Sequence, residues 1–163
     1  MPDPRPIRIL CVCLGNICRS PTAEAVLAAR LPSAIIDSAG TADWHAGNPP
    51  HPPAIAAAAA RGYDLRDQRA RAVTDADAAR FDLVLAMDAS VLADLRARWA
   101  RAAAGGGAPK ARLALFRAPV GGGDVPDPYF SGDYETALDL IEDAASAWAD
   151  QLQRSSAIWV NDT

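Results

Sequence analysis

Cys13-Leu14-Gly15-Asn16-Ile17-Cys18-Arg19-Ser20-Pro21 lies between an apolar run that reads as a strand and an apolar-periodic run that reads as a helix. Ile7, Ile9, Leu10 and Val12 form the short β-rich segment before it, the pattern of a buried strand in an α/β sheet. Ser20-Pro21 reads as an N-cap followed by a first-turn proline, and Ala23, Val26, Leu27 and Leu31 recur at helical spacing. The intervening loop therefore ends on a helix N-terminus, where unpaired N–H groups and the positive end of the helix dipole favour an anion. Gly15 lets the backbone curl close to such a ligand, and successive inward N–H groups make an anion nest.

Arg19 completes a phosphate cradle, because its planar fork can hold two oxygens at once and stays charged at any working pH. Cys13, at the carboxyl end of the strand, would sit under the bound phosphorus as a nucleophile. The same N–H groups and guanidinium stabilise a thiolate, so its pKa is expected to fall below that of a free thiol. A bare Cys-x5-Arg spacing is weak in an arginine-rich chain; the strand before it, the glycine within it and the helix start after it give the string its force.

The chain has 163 residues, half of them apolar, which suits one domain over residues 1–163 with its core at about 7–153. A formal charge of −4 argues against a general nucleic-acid binder, which needs a basic stripe. No apolar run approaches the ~20 residues of a membrane span, and the start around Pro2, Asp3 and Pro4 has no signal-peptide pattern, so a cytoplasmic setting without membrane contact is expected. Cys11, Cys13 and Cys18 are too few and too crowded for a disulfide framework. With no histidine cluster they supply no zinc ligand set, so neither metal nor cofactor is expected.

Further along, residues 34–38 read as a second strand whose end delivers Ser38 beside the loop, since ligands of parallel sheets sit at the carboxyl ends of strands. Residues 44–53 are too proline-rich to be regular, and Trp44 there reads as a loop tip folded onto the core or as a wall of a site. A helix is expected over 54–61, capped by Gly62, followed by an irregular segment over 63–73 whose Arg66, Arg69 and Arg71 read as a solvated charged face. A third strand over 81–86 leads to a helix over 88–101 with Trp99 in the core. A flexible connector over 102–109 and a fourth strand over 111–116 precede Gly121-Gly122-Gly123, which opens a long loop. In that loop Pro126 and Pro128 restrict Asp127, useful if one carboxyl must be presented at a fixed height; an ordinary turn is the plain alternative, and Asp124 competes for the role. The last helix is expected over 133–153, and no purpose is evident for the tail over 155–163.

Residues 12–21, Val-Cys-Leu-Gly-Asn-Ile-Cys-Arg-Ser-Pro, resemble the signature of the low-molecular-weight protein tyrosine phosphatases. The resemblance extends through Ser38-Ala39-Gly40-Thr41, Trp44, Gly47, Met87-Asp88 and Asp127-Pro128-Tyr129, covering about residues 7–153. It implies two-step hydrolysis of phosphotyrosine on proteins: Cys13 attacks phosphorus, Arg19 and the loop amides of Leu14, Gly15, Asn16, Ile17 and Cys18 hold the oxygens, and Asp127 serves as general acid. Ser20 would donate to the thiolate, Asn16 would tie the loop together, and Trp44 and Tyr129 would flank the substrate ring. Ile17 is the residue type the family associates with tyrosine rather than arginine dephosphorylation. Cys18 reads either as loop packing or as a redox partner that traps oxidised Cys13. Two departures stand out: Gln68 where such chains often carry histidine, and Val91 where an asparagine usually steadies the phosphate loop. The rival readings are an arsenate reductase using an external thiol, since no cysteine lies beyond Cys18, and a non-catalytic phosphotyrosine-binding module. The implied fold is an α/β three-layer sandwich, a four-stranded parallel sheet in the order 2-1-3-4 with helices on both faces, flavodoxin-like and acting as a monomer.

Overall fold

The computed structural model describes residues 5–106 and 111–161, with side chains to residue 154. The start around Pro2, part of the expected connector and the side chains of the tail lie outside the described residues. Four strands, β1 (Arg8–Cys13), β2 (Ile35–Gly40), β3 (Leu83–Ala86) and β4 (Arg112–Leu115), form one sheet in the order β2-β1-β3-β4. All neighbours are parallel, with Cys11 opposite Ser38 and Cys13 opposite Gly40. This is the expected topology, and it follows from right-handed crossovers running outward to both sides of a central first strand.

Among the described residues six α-helices surround it: α1 (Arg19–Arg30), α2 (Pro52–Ala60), α3 (Asp77–Arg80), α4 (Ala89–Ala104), α5 (Pro128–Ser131) and α6 (Tyr134–Asn161). The two-residue period of the strands divides the core. Ile9, Cys11, Leu83 and Leu85 meet Val26 and Leu27 of α1 and Ile141 and Trp148 of α6 on one face. Leu10, Val12, Val84 and Ala86 meet Leu92, Leu95 and Trp99 of α4 on the other. Each such buried side chain is worth roughly 1.5–3 kcal/mol, so both faces of the sheet are firmly covered. Trp148 Nε1 donates to the Phe116 carbonyl at 2.7 Å, pinning the last helix to the end of β4. A third cluster joins Ile17 and Cys18 to Ala54 and Ala58 of α2 and to Leu65, so the loop between β1 and α1 is itself part of a core.

Several boundaries differ from the sequence reading. Helix α1 starts at Arg19 with Cys18 at its cap, not at Ser20, because Thr22 Oγ1 and N–H both satisfy the Cys18 carbonyl and the Ser20 hydroxyl is turned toward Cys13. Pro21 costs nothing there, since first-turn nitrogens have no intrahelical acceptor. Strand β2 runs two residues beyond the expected Ser38, continued by Gly40 N–H to the Arg71 carbonyl and Val73 N–H to the Gly40 carbonyl. Asp88 and Asp133 fall just outside their helices as caps, accepting from Val91 N–H at 2.8 Å and Thr136 N–H at 3.0 Å. Arg71 corrects the reading of its segment as solvated: it pairs with Asp77 at 2.9 Å and Asp37 at 3.1 Å. Arg66, paired with exposed Asp64, fits it.

Candidate active site

The end of β1 and the start of α1 lie five residues apart, and the chain between them must close on itself. Asn16 takes φ +57°, the one non-glycine residue with positive φ among the described residues. Asparagine tolerates that region better than most side chains. The curl brings Asn16 N–H to 3.2 Å from Cys13 Sγ, while Ser20 Oγ stands 3.0 Å away on the other side. Gly40 makes room beside the loop: a Cβ there would sit 2.7 Å from the Leu14 carbonyl oxygen.

Arg19 is 5 % exposed and held from three directions. Its Nη1 donates to Asp88 Oδ2 at 2.7 Å and to the Val125 carbonyl at 3.0 Å, and its Nη2 lies 3.5 Å from Asp127 Oδ2. Burial lowers the guanidinium's affinity for its proton, but the Cys13, Asp88 and Asp127 charges outweigh it and the pKa is raised. Val125 is buried and its N–H donates to the Met87 carbonyl at 2.8 Å. The loop that bears Asp127 is thereby fixed to the sheet two residues before it.

Asp127 caps α5, its Oδ1 accepting from Tyr129 N–H at 3.1 Å, with Pro126 before it and Pro128 as the first residue of the helix. Asp124 is turned elsewhere, with Oδ1 accepting from Ala89 N–H at 2.9 Å at the head of α4. These groups meet around a cavity of about 210 Å³ lined by the loop from Cys13 to Arg19, by Trp44, His45, Asp127, Tyr129 and Phe130. Trp44 is 71 % exposed, which decides between its two readings: it is a wall and not a tip folded onto the core. Tyr129 stacks tilted on His51 with centroids 5.1 Å apart.

Ser38 is buried, and its Oγ accepts from Asn16 Nδ2 at 3.0 Å. Asn16 Nδ2 also donates to Ser20 Oγ at 2.8 Å, and Asn16 Oδ1 accepts from Arg71 N–H at 3.0 Å, so the loop is tied from behind. The Val91 side chain packs in the core beside Leu92, and its backbone N–H donates to Asp88. Gln68 Nε2 donates to the Pro21 carbonyl at 2.9 Å, fastening the irregular segment to α1. Burial pushes the Cys18 thiol up to about 12, with Asp127 adding to it, and its neighbours are Ala54, Ala58 and Leu65. That setting fits the packing reading.

Three participants were given no role by the sequence. Asp88 grips Arg19 across 69 positions, and its only local signal is a helix cap after a strand. His45 and Phe130 line the cavity, the first lying over the loop between β1 and α1 so that a Cβ on Gly15 would meet its Cδ2 at 3.1 Å.

Comparison with known proteins points one way. The family model described as low molecular weight phosphotyrosine protein phosphatase matches residues 8–157. A low molecular weight protein-tyrosine-phosphatase of Streptomyces coelicolor is 43 % identical over 152 residues, 85 % of this chain and 89 % of that protein. The YfkJ phosphatase of Bacillus subtilis is 37 % identical over 158 residues, 93 % and 99 % of the two chains. Its crystal structure superposes with a TM-score of 0.82, covering 92 % of this chain and 96 % of that one at 33 % identity. Vibrio vulnificus Wzb in complex with benzylphosphonate gives 0.79, covering 89 % and 98 % at 33 % identity. With a sulfur, a guanidinium and a carboxyl gathered at the tip of β1 in the same fold, the chain belongs to the low molecular weight phosphotyrosine protein phosphatase family.

Proposed function

We propose that the protein hydrolyses phosphotyrosine on tyrosine-phosphorylated proteins, and simple aryl phosphates, in two steps through Cys13. The Cys13 thiolate attacks phosphorus in line with the departing phenolic oxygen while protonated Asp127 gives that oxygen its proton. Arg19 and the loop amides from Leu14 to Cys18 stabilise the three equatorial oxygens, in place of a metal ion. A cysteinyl phosphate results. Asp127, now a carboxylate, takes a proton from water as it attacks, and Ser20 donates to the thiolate as it leaves. Trp44 and Tyr129 make a slot deep enough for a phenyl ring to bring its phosphate to the sulfur, where a phosphoserine falls short; Ile17, lining the same cavity, fits the tyrosine preference.

The observation that carries this reading is the convergence of Cys13, Arg19 and Asp127 on one aromatic-walled cavity, with the buried Ser20 hydroxyl against Cys13 from behind. We read residues 1–163 as one catalytic domain, a cytoplasmic monomer that meets its substrates as folded proteins or peptides. Arsenate reduction on the same scaffold would need an external thiol, and nothing around Cys13 favours it.

The test uses p-nitrophenyl phosphate at mildly acid pH. Cys13→Ser is expected to abolish turnover, and Asp127→Ala to lower kcat by about 10²–10⁴, the usual contribution of one positioned proton donor. Turnover by Cys13→Ser at the parental rate would remove the nucleophile assignment. Parental kcat in Asp127→Ala would move the acid elsewhere.

A further inference from the structure

Tyr129 lines the cavity from α5, a helix of only four residues, and its side chain is 48 % exposed. A half-exposed ring on so short a support needs something outside that support to hold its direction. Phe130 meets it edge-on with centroids 5.3 Å apart, but Phe130 is itself 80 % exposed and belongs to the same helix. Among the described residues the one ring outside α5 that pairs with Tyr129 is His51, tilted at 59° with centroids 5.1 Å apart.

His51 is fixed at both its backbone and its side chain. It caps α2 in an extended conformation ahead of Pro52 and Pro53, the form a proline-led helix start favours. Its N–H donates to the Ile17 carbonyl at 2.8 Å, and its carbonyl accepts from Ala54 N–H at 2.9 Å. Its Nδ1 hydrogen-bonds the Tyr134 hydroxyl at 3.1 Å, so the ring is tied to the head of α6 as well. Burial pushes the Tyr134 phenol up to about 12, with Cys18 adding to it. The hydroxyl therefore keeps its proton, and it can donate to a neutral imidazole or accept from a protonated one. One side chain thus connects the loop between β1 and α1, the start of α6 and the Tyr129 ring. We propose that His51 is a positioning residue for the substrate ring: it holds the Tyr129 wall at a fixed distance from the loop that carries Cys13, and so sets the width of the slot. Without the imidazole, Tyr129 turns freely about its side-chain bonds and must be ordered anew by each substrate, which weakens the binding of a ring but not of a bare phosphate.

This role rests on the phosphatase reading, and the probes separate the two. Inorganic phosphate fills the cradle alone, whereas phenylphosphonate fills the cradle and the slot. In His51→Ala, Ki for phenylphosphonate and KM for p-nitrophenyl phosphate are expected to rise about three- to tenfold, the scale of one aromatic pair, with kcat within about twofold of the parent. Ki for inorganic phosphate should stay at the parental value, whereas a general lesion of the loop would move both inhibitors together. His51→Phe keeps a ring against Tyr129 and gives up the Tyr134 hydrogen bond, so it should recover part of the loss. Tyr134→Phe removes only the hydroxyl and should show the same partial loss, with the double variant no worse than either alone. Should His51→Ala fail to fold, His51→Phe and Tyr134→Phe decide by the same ratio of the two Ki values. A parental ratio in these variants, or a rise for inorganic phosphate as large as that for phenylphosphonate, overturns the role of His51 and leaves the phosphatase reading standing. A parent that turns over no aryl phosphate overturns the phosphatase reading, and this role with it.

Discussion

Arg19 is oriented before any substrate arrives, since Asp88 and the Val125 carbonyl hold one side of its fork and leave the rest facing the cavity. A lysine could keep the charge but not the planar fork that meets Asp88 and, in the proposed mechanism, would hold two phosphate oxygens as well. Arg19→Lys is therefore expected to lose about 10²–10³ in kcat/KM for aryl phosphates, the cost of removing one preorganised donor, which steady-state kinetics would measure. At this scale the sequence was most readable where the site is contiguous, because Cys13, Asn16, Arg19 and Ser20 sit on one loop whose chemistry is local. Asp88, His45 and Phe130 stayed hidden because their roles arise from contacts between segments, and an Asp at a helix cap carries no mark of the guanidinium it will meet.

Elements were recognised by period and misplaced at their ends. Ser20-Pro21 has the form of a helix start, yet the cap is Cys18, because the tight curl at Asn16 has already turned Arg19 into the helix. The short α3 went unseen, as four residues carry too little periodicity to be read. Strand β2 outlasts its apolar pattern because Gly40 bonds the Arg71 segment and passes close under the loop between β1 and α1. That approach is testable. In Gly40→Ala the new methyl would lie 2.7 Å from the Leu14 carbonyl oxygen and 3.2 Å from Asn16 Cβ, so the loop must shift. A loss of about 1–3 kcal/mol in denaturant unfolding is expected, together with a fall in kcat/KM larger than the loss of folded protein explains.

For the molecule as a whole, the strand order was legible because crossover handedness leaves few ways to arrange four parallel strands, whereas the charge buried between α1, β2 and the Arg71 segment was not. That charge sets a pH dependence of stability. Glu24 is pushed up to about 7 in the fold and titrates in the ordinary carboxylate range when unfolded, so the folded protein binds the extra proton between those limits. Stability from this group is full at the acid end and declines as pH rises toward 7, by at most about 3 kcal/mol. Glu24→Gln removes the decline, so its melting temperature should gain on the parent from pH 5 to pH 8. A difference that stays constant over that range would count against the buried carboxyl.

Val125 tethers the segment that carries Asp127. Because its amide and carbonyl are both bound, to Met87 and to Arg19, the glycines at 121–123 end against a fixed post, and only Pro126 separates that post from Asp127. The triglycine can take up thermal agitation upstream like slack in a cable without carrying the carboxyl along. Entry and departure of substrate then require no sweep of a long gate, only small turns of a side chain hung on a short, proline-stiffened arm.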